Sequence, residues 1–345
     1  MARRIGRYTI GFDNQPAVVG FGSAVGKKES EGPLCDWFDH KFTDTKMGED
    51  TWEAAESDLM KTAVQTALDR ANVTSGEIDG IFAGDLLDQC IASTFGLRKF
   101  DAQHIGLFGA CSTMALSLGL ASIAVESGAM NTAVATTSSH FCSAERQFRF
   151  PLEYGGKRTP TSQWTVTGSG ALVLKNGEQA AQQDTAQNFA AHIKSVTFGR
   201  MLDYDITDAN NMGAAMAPAA ADTIYRHLSD LGSKPKDYDM ILTGDLGQVG
   251  GKLLKELLIK KGVDITENYN DCGCMIFDLT DTDIAAGGSG CGCSGSVLCS
   301  YIMKRFEKGE LNRILFCATG ALMSPTSSQQ GLSIPGVAHA VEIVR

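Results

Sequence analysis

Histidine and concentrated positive charge are both scarce in this chain. Its 345 residues include six histidines, and 30 basic side chains are outnumbered by 40 acidic ones, for a net charge of −10. With no dense Lys/Arg stripe, the sequence carries no electrostatic footprint for nucleic acid. No apolar h-region follows the basic start Met1-Ala-Arg-Arg-Ile-Gly-Arg7, so a targeting signal is not expected. Ten cysteines without a secretory leader read as free thiols of a reducing interior, not as a disulfide framework. Charge is missing altogether from Ile105–Val125 and from Ile284–Met303. Each stretch is as long as a membrane span, yet both are diluted with glycine and serine, which suit a lipid-facing surface poorly. A helix apolar all round and rich in small residues is a buried core helix. Burying it on every side calls for a sheet above and a sheet below, so a multilayered α/β/α core is expected.

Internal similarity points the same way. Ile78-Asp-Gly-Ile-Phe-Ala-Gly-Asp-Leu86 and Tyr238-Asp-Met-Ile-Leu-Thr-Gly-Asp-Leu246 share one pattern, a strand ending in Gly-Asp-Leu. Each follows an amphipathic helix, over 53–71 in the first copy and 219–231 in the second, closed by a polar turn. The charge-free helices correspond as well. Glu126-Ser-Gly-Ala-Met-Asn131 precedes the strand from Thr132, and Glu307-Lys-Gly-Glu-Leu-Asn312 precedes the strand from Arg313. Aligning Glu126 with Glu307 sets Cys111 opposite Gly292. Two fused halves related by pseudo-symmetry are expected, over residues 1–178 and 186–345, separated by a polar loop near 176–188.

Cys111 stands out within Leu107-Phe-Gly-Ala-Cys-Ser-Thr-Met-Ala115, where a strand turns into the first charge-free helix. A thiol at a helix N-terminus meets unpaired N–H groups and the positive end of the dipole, which favours thiolate and any bound anion. The second copy enters its helix through Gly287-Gly-Ser-Gly-Cys-Gly-Cys-Ser294. The pairs Cys272-Gly-Cys274 and Cys291-Gly-Cys293 could be read as a four-thiolate metal site. C-x-C is not the usual knuckle spacing, however, and buried apolar thiols are the better account; no metal or cofactor is expected.

A duplicated α/β half, a cysteine on the first buried helix and a Gly-rich entrance to the second resemble the thiolase superfamily, which includes the β-ketoacyl-acyl-carrier-protein synthases. Four local stretches resemble the stage V sporulation protein AD family of spore-forming bacteria. They are Lys46-Met-Gly-Glu-Asp-Thr-Trp52, Phe141-Cys-Ser-Ala-Glu-Arg-Gln-Phe-Arg-Phe-Pro151, Trp164-Thr-Val-Thr-Gly-Ser-Gly-Ala-Leu-Val173 and Met212-Gly-Ala-Ala-Met-Ala-Pro218. The resemblance implies a thiolase-like five-layer αβαβα fold with two pseudo-symmetric halves that binds dipicolinic acid (pyridine-2,6-dicarboxylic acid), free or as its calcium chelate. It further implies peripheral association with the spore inner membrane, integral membrane partners of the same sporulation channel, and a homodimer.

Condensing chemistry needs more than a thiol. In the acyl-CoA-type synthases one His follows the strand that here reads Asp239-Met-Ile-Leu-Thr243, and an Asn or His stands at the second helix entrance. This chain continues Gly244-Asp-Leu-Gly-Gln248, and neither residue type occurs in Gly287–Ser294. A non-catalytic binding protein is therefore expected, with an acyl-thioester condensing enzyme or acyltransferase using Cys111 as the alternative and a structural adaptor as a third reading. His40 and His104 read as loop residues, His192 and His339 as strand residues, and His227 as lying on an amphipathic helix; all five read as structural. His140, after the strand from Thr132, is expected at the pocket mouth. For a planar dianion, donors are expected from Cys111 and Ser112 and from Gly287, Ser289 and Cys291. A cation is sought among Arg146, Arg149, Lys157 and Arg158, which could instead pair with Glu145 and Glu153. Asp85 and Asp245, at the ends of equivalent strands, are candidates to orient donors or hold the calcium of a chelate.

Overall fold

The computed structural model describes residues 1–148, 158–182 and 191–345. In the first half the main strands are β1 (Ala17–Val25), β2 (Gly80–Gly84), β3 (Gln103–Gly106), β4 (Thr132–Ser139) and β5 (Gly168–Lys175). In the second they are β6 (Ala191–Phe198), β7 (Met240–Thr243), β8 (Tyr269–Asp271), β9 (Arg313–Ala321) and β10 (Gly336–Val344), and Gly288–Ser289 forms a short separate pair with Trp164–Thr165. The spatial order is β3-β2-β4-β5-β1 in one array and β8-β7-β9-β10-β6 in the other. Parallel and antiparallel pairings repeat position for position: the second strand of each array lies parallel to its two neighbours, and the fourth runs antiparallel to both of its own. Even the irregularity recurs, between Val18 and Gly20 in β1 and between Ile193 and Ser195 in β6. The arrays join edge to edge through β1 and β6, where Ala17 and Val18 pair with His192 and Ala191.

Helix α1 (Trp52–Ala71) packs on the outer face of the first array, α2 (Ile91–Leu97) against α1, and α3 (Thr113–Glu126) and α4 (Phe141–Phe148) follow. The second half supplies α5 (Met212–Leu231), α6 (Gly247–Ile259) and α7 (Cys291–Val297), the last running on through a π-turn at Leu298–Ile302 into Met303–Glu307. Helix α3 touches β2 and β4 of its own array and β9, β10 and β6 of the other, so it is the middle layer. Small residues make that possible. A Cβ on Gly119 would lie 2.7 Å from Val196 Cγ2 on β6, and a Cβ on Gly170 of β5 would lie 2.1 Å from the Gly295 carbonyl of α7. The glycines that spoil a lipid-facing reading are thus what lets helix and strand close-pack on both sides. Among the described residues no helix is long and apolar enough to cross a membrane.

The ends of elements follow local chemistry. Thr51 caps α1 by accepting from Ala54 N at 3.2 Å, and α1 stops at Asn72 in the left-handed region (φ 52°). Helix α5 stops at Gly232 (φ 63°). It starts at Met212 rather than 219, because Pro218 costs one intrahelical bond without ending the helix. The polar stretch expected as loop near 176–188 holds a short helix at Gly177–Gln182, and residues 183–190 lie outside the described set. His104 is in β3 rather than a loop, and His227 is fully buried.

Candidate functional site at the helix entrance

Cys111 is buried at the turn into α3. Ala110 before it has φ 49°, a left-handed conformation that costs a β-carbon-bearing residue about 1–2 kcal/mol. The turn is clamped from the other half, where a Cβ on Gly320 of β9 would sit 2.4 Å from the Gly109 carbonyl. That tight approach aims the thiol at the end of β7.

Asp245, the residue two beyond β7, meets it there. The carboxylate accepts from Gly290 N (2.9 Å) and Ser289 Oγ (3.3 Å) on one oxygen, from Thr319 Oγ1 (2.8 Å) on the other, and from the Cys111 thiol. Both groups are pushed toward neutrality. Burial, and then the Asp245 charge, hold the Cys111 thiol well above its ordinary range, and burial lifts Asp245 to about 6. The expected thiolate is thereby overturned. Desolvation and a carboxylate neighbour outweigh the helix end, and the N–H groups of Ser112 and Thr113 are already given to the carbonyls of Gly109 and Ala110.

The thiol opens on a pocket of about 40 Å³ lined by Leu86, Phe108, Ala144, Glu145, Met212 and Ser289, among others. Small-molecule sites usually offer ~300 Å³ or more. An outer depression of about 220 Å³ adjoins it and shares Leu86, Phe108, Phe148 and Met323 with it. The two therefore adjoin as an inner chamber and a vestibule that four apolar side chains line in common, of which Phe108 is half exposed.

Of the nine residues singled out from sequence, the structure gathers three: Cys111 and Ser289 on the wall, with Asp245 behind them. Ser112 and Cys291 lie one layer back. Ser112 Oγ donates to the Gly109 carbonyl at 2.6 Å, and Cys291 Sγ to the Ser138 carbonyl at 2.9 Å. Four are elsewhere. Asp85 is spent on the N–H groups of Leu87 (2.9 Å) and Ser93 (2.8 Å), holding the turn into α2. Gly287 (φ 126°) accepts from Trp164 N at 2.8 Å and joins the loop to Trp164–Thr165. His140 lines a separate pocket of about 280 Å³ with Lys27, Lys28 and Trp164. Its Nδ1 accepts from Cys142 N and its Nε2 donates to the Thr45 carbonyl, so both ring nitrogens are engaged; burial lowers its pKa. Arg146 is exposed and pairs with Glu53.

Arg158 behaves as the alternative reading had it. Its guanidinium pairs with buried Glu145 at 3.2 Å and donates to the Gln163 carbonyl at 2.8 Å. Arg149, Glu153 and Lys157 lie outside the described residues. No group of three or more His, Cys, Asp or Glu is arranged to hold a metal ion among the described residues, although Cys272 and Cys293 come close to each other. The sequence reading missed Thr319 and Gln163, whose Nε2 donates to the Asp245 and Gly288 carbonyls, whereas the Gly290 donor lies within the Gly287–Ser294 entrance it had named. The first is a lone hydroxyl in the apolar run of β9, and that polar interruption was the available signal.

Comparison with known proteins decides the family. The model of the stage V sporulation protein AD (SpoVAD) family matches residues 6–344. The Bacillus subtilis (strain 168) stage V sporulation protein AD is 43% identical over 340 residues, covering 99% of this chain and 97% of that protein. The chain belongs to the SpoVAD family. Among solved structures, this SpoVAD-family chain is similar to 3-oxoacyl-[acyl-carrier-protein] synthase III of Aquifex aeolicus VF5, with TM-score 0.55, 13% identity and coverage of 96% and 100%. It is also similar to cerulenin-bound OleA of Xanthomonas campestris, with TM-score 0.60, 15% identity and coverage of 97% and 98%. Likeness at that identity establishes a thiolase-like condensing-enzyme fold and nothing of the chemistry.

Proposed function

We propose that this protein binds dipicolinic acid in the Cys111 chamber without catalysing a reaction. In this reading it serves the machinery that moves the compound across the spore inner membrane during sporulation and germination, associating peripherally with integral membrane partners. The observation that carries the reading is Asp245. A buried carboxylate follows the strand after which the acyl-CoA-type synthases that this chain resembles carry an imidazole, and burial together with that carboxylate keeps the cysteine a thiol. A thiol is a poor nucleophile, and a carboxylate cannot donate to a thioester oxyanion unless it is itself protonated. Sporulation family membership supports the ligand, and the chamber and vestibule supply a space that could merge when Phe108 and Phe148 turn aside.

Titration of the purified protein with dipicolinic acid, with and without calcium, tests the proposal. Saturable binding is expected, abolished by Ala144→Phe, which fills the chamber. No saturable binding by the intact protein sinks it. The position of Cys111 at a helix entrance in a condensing-enzyme fold favours a second reading, acyl transfer through that thiol. A stable adduct on Cys111 by mass spectrometry after incubation with acyl-CoA would establish it.

We propose further that the protein is a homodimer. Strand β3 is a sheet edge with Gln103, His104 and Gly106 exposed, and Phe108 follows it, a combination that invites pairing with a second copy. A monomer mass by light scattering, unchanged by Ile105→Pro, would refute it.

A further inference from the structure

The chamber wall poses a problem for any anionic ligand. Among the described residues that line it there is no lysine, arginine or histidine, and Glu145 is already matched by Arg158. Donors must therefore come from neutral groups. Thr165 Oγ1 is given to Glu145 at 3.0 Å, which leaves, among the lining side chains, the hydroxyl of Ser289 and the thiol of Cys111. Each carries one hydrogen, and each lies within hydrogen-bond reach of the Asp245 carboxylate, with Ser289 also touching the Cys111 sulfur. When both donate to that carboxylate, the wall shows a ligand its lone pairs.

We propose that Asp245 is a proton-linked positioning residue: its charge sets which way Ser289 and Cys111 turn their hydrogens, so that a carboxylate ligand enters the chamber together with one proton. The inference rests on reading the chamber as a dicarboxylate site. When Asp245 takes a proton from solvent it donates to Ser289 Oγ, and the Ser289 hydrogen swings into the chamber to meet the ligand carboxylate. Cys111, no longer facing a charge, can do the same. Gly290 N and Thr319 Oγ1 keep the Asp245 carboxyl in place in both states. When the ligand leaves, the hydroxyl turns back and the proton returns to solvent.

The surroundings favour this. The ionisable groups facing Asp245 are Cys111 from the α3 entrance, Cys272 and Asp271 from the end of β8, and Cys293 from α7. None is a cation. Asp271 is itself saturated by Thr243 Oγ1 (2.6 Å) and by the N–H groups of Leu246, Gly247 and Cys274. Burial places the Asp245 transition near pH 6, within reach of ordinary solution conditions.

The test has two arms on the full chain. In the first, the S–H stretching band of Cys111, isolated as the infrared difference between wild type and Cys111→Ala, is followed from pH 5 to 8 without ligand. A shift with a midpoint near pH 6, absent in Asp245→Asn, is expected; a band that does not move overturns the proposal whatever the ligand does. In the second, dipicolinate binding is measured calorimetrically in two buffers of different ionisation enthalpy. Uptake approaching one proton at pH 7.5 is expected, with affinity falling about tenfold per pH unit above the transition. Asp245→Asn, or Ser289→Ala should the first variant fail to fold, is expected to bind with a flat pH profile. Binding that is flat with pH and takes up no proton overturns the proposal. A moving thiol band with no binding at any pH overturns the dicarboxylate reading instead.

Discussion

Glu56→Gln is expected to stabilise this protein at neutral pH, although it removes a charge from a fully hydrogen-bonded side chain. Glu56 sits on the buried face of α1 with no solvent exposure. Its Oε1 accepts from Ser138 Oγ at 3.0 Å and its Oε2 from Ser143 Oγ at 2.8 Å. Burial, and then the charge of Asp85, lift its pKa from 4.5 to about 8. A carboxyl raised on folding holds a proton that the unfolded chain has released. Its contribution is therefore fully present below about pH 4.5 and is lost as pH rises toward 8. At pH 7 the cost is 2.5 pH units at 1.36 kcal/mol each, about 3 kcal/mol. Glutamine keeps the shape and both bonds, because a serine hydroxyl accepts from the amide as readily as it donates to a carboxylate. Urea unfolding of wild type and variant from pH 5 to 8 checks this. The two curves should nearly coincide at pH 5 and separate by about 3 kcal/mol at pH 7, the wild type losing stability with pH. A variant less stable than wild type at pH 7 would refute the reasoning, since Glu56 would then be charged and anchored by its two serines.

Other expectations concern the chamber, its supports and the acid limb of stability. Phe108→Ala should raise the dipicolinate association rate severalfold in stopped-flow experiments, because that ring lines both the chamber and the vestibule. Arg158→Ala removes the guanidinium paired with buried Glu145 and should cost about 3–5 kcal/mol in chemical unfolding, less for Arg158→Lys. His227 and His339 are each lowered by burial from 6.5 to about 4. A depressed imidazole is protonated first in the unfolded chain, so each should remove about 3 kcal/mol as pH falls from 6.5 to 4. His339→Phe, retaining the ring against Phe198, should flatten that acid loss in thermal melts.

The architecture was legible because it is written twice. Gly-Asp-Leu at two strand ends and the paired Glu…Asn helix-to-strand joints specify a repeated unit, and both arrays adopt one strand order. The charge-free helices were legible as buried for a physical reason: glycine and serine at that density suit close packing between sheets better than a lipid-facing surface. The polar site was less legible, because period and composition do not report where a side chain's hydrogen bonds go. His140 and Arg146 lie in sequence beside the site, yet one closes on Thr45 and Cys142 and the other on Glu53.

The two aspartates show most clearly what a sequence repeat leaves open. Asp85 and Asp245 end equivalent strands inside the same Gly-Asp-Leu motif. In the first half the following residues turn into Asp88–Cys90 and α2, and the N–H groups of Leu87 and Ser93 capture Asp85 within two hydrogen bonds of its own backbone. In the second half the backbone N–H groups after the strand, those of Leu246 and Gly247, go to Asp271 instead. Asp245 is thereby released to meet Ser289, Gly290 and Thr319 of its own half and Cys111 of the other. One additional carboxylate, Asp271 at the end of β8, therefore accounts for the divergence of the halves. Asp271→Ala should draw Asp245 back toward its local backbone and loosen its hold on the Cys111 thiol, which the S–H band would report as a loss of its pH dependence.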